Sequence, residues 1–152
     1  MQINLDDLKK LRAETSAGVS DCRQALEDAE GNYEKAKKLI TERGLEKAAK
    51  KEGKETSQGL VASYVHATGK VGVLVELRCE TDFVARTDEF KNLAHEMALQ
   101  ITAMNPENVE SLLASAYIRD AGKSMADLVK LTIAKVGENI TVARFTRMQL
   151  GE

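Results

Sequence analysis

An α+β fold is what this sequence predicts, and three observations predict it. The first part of the chain carries apolar residues at helical spacing, cut by glycines and capping residues. Residues 71–79 alternate with a period of two. After Thr87 the helical period returns, and the chain closes on a second alternating stretch. With 152 residues, 43% hydrophobic and 30% charged, the chain can bury a core. Its length fits one domain plus a small appendage.

In the first segment, Asn4 is a helix cap and Asp6 and Asp7 complement the positive end of the helix dipole. Leu5, Leu8 and Leu11 recur at helical spacing until Thr15-Ser16-Ala17-Gly18 breaks the pattern. Ser20 is read as the cap of a second helix burying Cys22, Ala25, Leu26 and Ala29, with Gly31 as its stop. Asn32 caps a third, with Ala36, Leu39 and Ile40 inward, and Gly44 is read as its end. Three short helices with short joints make a compact helical module. Residues 45–58 then lose apolar content and alternate Lys with Glu, as a helical tail running into a linker does. The boundary is placed there: residues 1–55 form the module and linker, residues 56–152 an α+β core and dimerisation domain.

The second segment opens on a hairpin. Leu60 to His66 pairs, across Ala67-Thr68-Gly69-Lys70, with a strand whose Val71, Val73, Val75, Leu77 and Cys79 share one face. Thr87 caps a helix with Asp88 and Glu89 in its first turn and Phe90, Leu93, Ala94, Met97, Ala98 and Ile101 in one stripe, ended by Pro106. Val109, Leu112, Leu113 and Ala116 suggest a short helix. Ser124 caps another, with Met125, Leu128, Val129, Thr132, Ile133 and Val136 on one side and Gly137 as its stop. Residues 140–148 form a closing strand whose alternation slips between Val142 and Phe145, which predicts a bulge. The sum is ββααβ: a small antiparallel sheet with helices on one face. The sheet's other face and its edges are open to a second copy of the chain.

The chemistry of the residues excludes more than it offers. A net charge of −2 argues against a generic polyanion binder, and no run of apolar residues approaches a membrane span. The segment after Met1 has no basic or apolar leader character, so a cytoplasmic protein is expected. His66 and His95 fall in different elements and neither has a second ligand one turn away, so no metal is expected. Cys22 and Cys79 lie on apolar faces and read as small buried hydrophobes. No nucleophile elbow or phosphate-binding loop is present, and no cofactor is expected. Lys47, Lys50, Lys51 and Lys54 stand against Glu46, Glu52 and Glu55 with no interleaved aromatic. They read as a solvated helix and not as a nucleic-acid site. One feature stands apart. Thr81-Asp82-Phe83-Val84-Ala85-Arg86 joins strand to helix, and Phe83 is one of only three phenylalanines. Spacing alone leaves two readings open: Phe83 seals the bottom of the core, or it stands exposed on a functional loop.

Four ordered blocks carry a resemblance. Thr81-Asp82-Phe83-Val84-Ala85 resembles the signature of the elongation factor Ts family, nucleotide-exchange factors for the translational GTPase elongation factor Tu. Leu8-Lys9-Lys10-Leu11-Arg12 with Thr15, Ala17 and Gly18, then Asp21-Cys22-Arg23-Gln24-Ala25-Leu26, resembles the family's N-terminal module, itself similar to ubiquitin-associated domains. Gly44-Leu45 with Lys47-Ala48-Ala49-Lys50-Lys51 resembles its linker, and Gly137-Glu138-Asn139-Ile140 with Arg144-Phe145 its closing strand. The resemblance spans nearly the whole chain. It is closest to short members, with one core copy and no coiled-coil insertion, some of which work as homodimers.

That resemblance implies a non-enzymatic function. Phe83 would wedge between helices of the GTPase domain near its bound magnesium and phosphates, with Asp82 holding the wedge or the displaced helix and Thr81 shaping the turn. The magnesium would be the partner's. Ala17, Gly18 and Val19 would dock elsewhere on the same domain, although Val19-Ser20 stands where many members have two methionines. Two other classes compete. As a ubiquitin-associated-type helix binder with a core serving only to dimerise, residues 1–55 alone would bind the partner as well as the whole chain does. An enzyme would need a convergent polar pocket that the sequence does not show.

Overall fold

Asn4 caps the first helix as expected: its Oδ1 accepts the Asp6 N–H at 2.8 Å in the computed structural model, which describes residues 2–152. Helix α1 (Leu5–Thr15) is followed by α2 (Val19–Asp28) and α3 (Tyr33–Ala49). Leu11, Cys22, Ala25, Leu26, Ala29, Ala36 and Ile40 close into one apolar cluster among these helices. Leu5, read as one of the α1 stripe, stays 68% exposed.

Two boundaries among these first three helices differ from the sequence reading, and the later short helix stops at Ala114, leaving Ala116 to a strand. Gly18, not Ser20, is the N-cap of α2. The chain turns through a left-handed Ser16, and the Gly18 carbonyl already accepts the Cys22 N–H at 3.0 Å, so the helical ladder starts two residues early. Gly44 does not end α3, which runs on to Ala49. A Cβ at Gly44 would lie 3.0 Å from the Ala134 Cβ, so this glycine permits a close approach to a later helix rather than stopping its own.

Strands β1 (Gln58–Val65) and β2 (Val71–Cys79) form the expected hairpin, with β1 beginning and ending slightly earlier than read. Gly59, at φ +148°, permits this earlier start. A Cβ there would lie 2.0 Å from the Leu77 carbonyl oxygen. A four-residue helix α4 (Asp82–Ala85) precedes α5 (Asp88–Met104), which Thr87 caps and a left-handed Asn105 ends just before Pro106. Then come α6 (Val109–Ala114), a small hairpin of β3 (Ala116–Tyr117) and β4 (Asp120–Ser124), α7 (Met125–Val136) and β5 (Ile140–Gln149). Ser124 and Asp127 complete a reciprocal capping box on α7, and Gly137 ends that helix.

The main sheet has order β1-β2-β5, antiparallel throughout. Val73, Val75, Leu77 and Cys79 of β2 lie on the face packed by α5, in one buried cluster with Phe90, Met97, Ile101 and Met125. The β2–β5 register shifts between Glu76 and Leu77, which leaves Ala143 without a partner: the bulge expected between Val142 and Phe145. The β3–β4 hairpin is an addition to the ββααβ reading. It is held by Gln100, a fully buried side chain whose Nε2 donates to the Ala116 carbonyl at 2.8 Å and whose Oε1 accepts the Ile118 N–H at 3.0 Å. The fold class is α+β, as expected.

Candidate functional site

The strand-to-helix junction is built around a single turn of helix. Its inward side is set by Val84 and Ala85, both buried in the main core. At 100° per residue, the position before Val84 points away from that core, and Phe83 is 73% exposed there. The open question about Phe83 is thereby answered in favour of exposure. An exposed phenylalanine forgoes the roughly 1.5–3 kcal/mol that burying it would contribute.

Both ends of the turn are pinned. At the start, the Thr81 Oγ1 accepts the Val84 N–H at 3.4 Å as N-cap. The same hydroxyl donates to Glu138 Oε2 at 2.7 Å, and the Thr81 N–H donates to Glu138 Oε1 at 2.9 Å. At the end, the Thr87 hydroxyl donates to the Val84 carbonyl at 2.7 Å while capping α5. Outside, Asp82 pairs with Arg86 at 3.3 Å, and the Arg86 guanidinium lies 5.4 Å from the Phe83 ring centroid. Asp82, Phe83 and Arg86 thus form an exposed apolar-and-charged tip on a fixed base.

Cys79, just before the turn, is fully buried and donates its S–H to the Thr81 carbonyl at 3.0 Å. Burial, followed by the nearby Glu138 charge, pushes its thiol up, and burial does the same for Cys22. Neither is an activated nucleophile. Among the described residues there is no group of three or more His, Cys, Asp or Glu side chains able to hold a metal ion. No helix among them is long and apolar enough to cross a membrane.

The second candidate patch, Ala17-Gly18-Val19, is the α1–α2 joint. Ala17 is half-buried against the helical cluster, whereas Gly18 and Val19 are exposed. A Cβ at Gly18 would meet only Asp21 Oδ2, at 3.7 Å, so the fold itself does not demand glycine there. Ala17 and Gly18 stand at the rim of a cleft of about 550 Å³ between this joint, α3 and α7. The structure brings Thr81 to Ala85 together on one turn and leaves Ala17–Val19 as a separate patch. His66 and His95 are both exposed. Sequence reasoning gave no role to Arg86 or Glu138. The Asp82/Arg86 spacing of four was a local signal for the first. No local signal existed for the second, because its partner lies on the far side of four helices and a hairpin.

Comparison with known proteins assigns the chain to a family. The family model described as Elongation factor TS matches residues 80–152. Elongation factor Ts of Coprothermobacter proteolyticus is 42% identical over the full length of both chains. The chain belongs to the elongation factor Ts family. Elongation factor Ts of Fervidobacterium nodosum is 40% identical, again over both full lengths, and that of Leptospira biflexa 41% identical over 99% of each. The alignment with the Coprothermobacter elongation factor Ts runs over 197 positions, more than the 152 residues here, so that relative carries residues this chain lacks. Membership makes the chain a translation elongation factor.

Proposed function

We propose that this chain is a guanine-nucleotide exchange factor for elongation factor Tu, working in the cytoplasm without a cofactor, nucleic acid or membrane. It makes and breaks no covalent bond. Such a factor binds the nucleotide-free GTPase more tightly than the nucleotide-bound one, and by linkage the nucleotide then binds more weakly in its presence. Phe83 enters between helices of the GTPase domain near the partner's magnesium and phosphates, Asp82 hydrogen-bonds beside it, and GDP leaves. Thr81, Val84 and Ala85 hold the turn from beneath. Ala17, Gly18 and Val19 dock on a second part of the same GTPase domain, so that residues 1–55 and 56–152 act as two units on one partner. A second copy of the chain packs on the open face of the sheet.

The observation that carries this reading is the exposed Phe83 ring on a helical turn pinned at both ends. A rate gain of three decades needs a barrier lowered by about 4 kcal/mol. Interface hot spots of ~2–4 kcal/mol, together with the rearranged loop contacts, reach that order. The test is release of a fluorescent GDP from elongation factor Tu, timed with the wild type and with Phe83→Ala. The variant is expected to lose at least tenfold in stimulated rate, about 1.4 kcal/mol. Equal rates from a folded variant would remove the wedge.

A further inference from the structure

The turn between α7 and β5 makes contacts that neither helix capping nor sheet pairing requires. Glu138 grips Thr81 with both carboxylate oxygens, at 2.9 and 2.7 Å. Its neighbour Asn139, 6% exposed, accepts nothing from that loop but takes part on two other sides. Its backbone N–H donates to Glu80 Oε2 at 2.9 Å, and its side-chain Nδ2 donates to the Lys54 carbonyl at 2.8 Å. Two residues further on, in β5, the Thr141 and Thr56 hydroxyls are hydrogen-bonded at 2.8 Å. Two consecutive residues therefore tie two distant stretches to the start of β5: the Glu80-Thr81 junction at the base of the Phe83 turn, and the linker that follows the helical module.

We infer that Glu138 and Asn139 are positioning residues for exchange: Glu138 sets the turn that presents Phe83, and Asn139 sets the linker that carries the Ala17–Val19 patch. The inference rests on the exchange-factor reading above. Its physical basis is preorganisation. A wedge whose base is fixed before docking avoids ordering costs at the moment of binding. A carboxylate accepting two bonds from one residue is a charge-assisted, orientation-specific clamp. The two residues act on different steps. Loosening Thr81 leaves docking intact and blunts the ring's insertion. Loosening Lys54 leaves the ring in place and misaligns the second contact.

The test is a set of GDP-release titrations on elongation factor Tu with the full chain. Glu138→Ala is expected to lower the rate at saturating factor by about tenfold, as the loss of charge-assisted bonds would. Its half-saturating concentration stays near that of the wild type. Glu138→Gln retains an acceptor for the Thr81 N–H and a donor for its hydroxyl, and is expected to restore most of that rate. Asn139→Ala shows the converse pattern, a raised half-saturating concentration with the maximal rate kept. In a Phe83→Ala background Glu138→Ala adds no further loss. A folded Glu138→Ala with wild-type rate, or an equal loss with and without Phe83, overturns the positioning role while leaving the wedge standing. Wild-type release by Phe83→Ala alone removes the wedge itself. If Glu138→Ala fails to fold, Thr81→Val removes the same hydroxyl bond and carries the same expectation.

Discussion

Phe83 and Phe90 are the same residue type on adjoining helices with opposite fates. Phe90 is fully buried, capped into place by Thr87 one turn earlier, whereas Phe83 stands in solvent with only Arg86 over its face. Removing each ring in turn separates stability from the proposed function. Phe90→Ala leaves a cavity in the main core and is expected to lower the unfolding free energy by about 3–5 kcal/mol. Phe83→Ala removes no packed contact and is expected to change it by no more than about 0.5 kcal/mol. Urea unfolding followed by circular dichroism measures both. A large loss from Phe83→Ala would mean that the ring is part of the fold, and its effect on exchange would then carry no information about insertion.

At the scale of elements, the open face of the sheet has its own electrostatics. Glu76 of β2 sits beside the β5 bulge and accepts from Arg78 at 2.6 Å and from Arg144 across the strand pair at 3.1 Å. The Arg78 bond, then the Arg144 bond, hold its carboxyl below the usual glutamate range. A lowered folded value means the contribution is present above the unfolded value and is lost as pH falls through the folded one. Wild type is therefore expected to be more stable than Glu76→Gln at neutral pH. The gap should close as acid takes the pH below about 4.3, the ordinary glutamate value. Urea midpoints of the two proteins across that range check it, and a gap that persists in acid would refute the pairing. This cross-strand group was not legible in the sequence, because register decides it. What was legible was local: the alternation of β2, the caps Asn4, Asn32, Thr87 and Ser124, the Gly137 stop, and the bulge. One miss was local, the start of α2 at Gly18 after a left-handed Ser16; the larger ones were non-local. Gly44 reads as a stop in sequence but serves the close approach of Ala134, and the β3–β4 hairpin, which carries no apolar alternation, is anchored by the buried Gln100 of α5. The Phe83 junction stood out in the sequence as a strand-to-helix loop carrying a scarce phenylalanine, and its role came from the resemblance, but its orientation depends on Val84 and Ala85 lying in the core.

For the whole molecule, the proposed pairing of two copies rests on the uncovered sheet face. Val61, Val65, Leu74 and Met148 all project from it and are each more than half exposed, around the Arg78–Glu76–Arg144 group. Four exposed apolar side chains gathered on one sheet face offer a contact surface that a second copy of the chain could cover. A twofold axis through such a patch lets one surface serve both partners, as closed symmetric pairs require. The same pairing leaves the Phe83 turn free, because that turn is rooted in the opposite side of the sheet through Val84 and Ala85. A dimer built this way would present two exchange sites and bind two GTPases. Light scattering at micromolar concentration is expected to give twice the monomer mass for the wild type. Leu74→Glu with Met148→Glu is expected to give the monomer mass, since each places a charge in an apolar contact with no partner. Stimulated GDP release per chain should survive in that variant. A wild type that stays monomeric would assign the open face to some other contact. A monomeric variant that no longer stimulates release would mean that one copy's site depends on its neighbour.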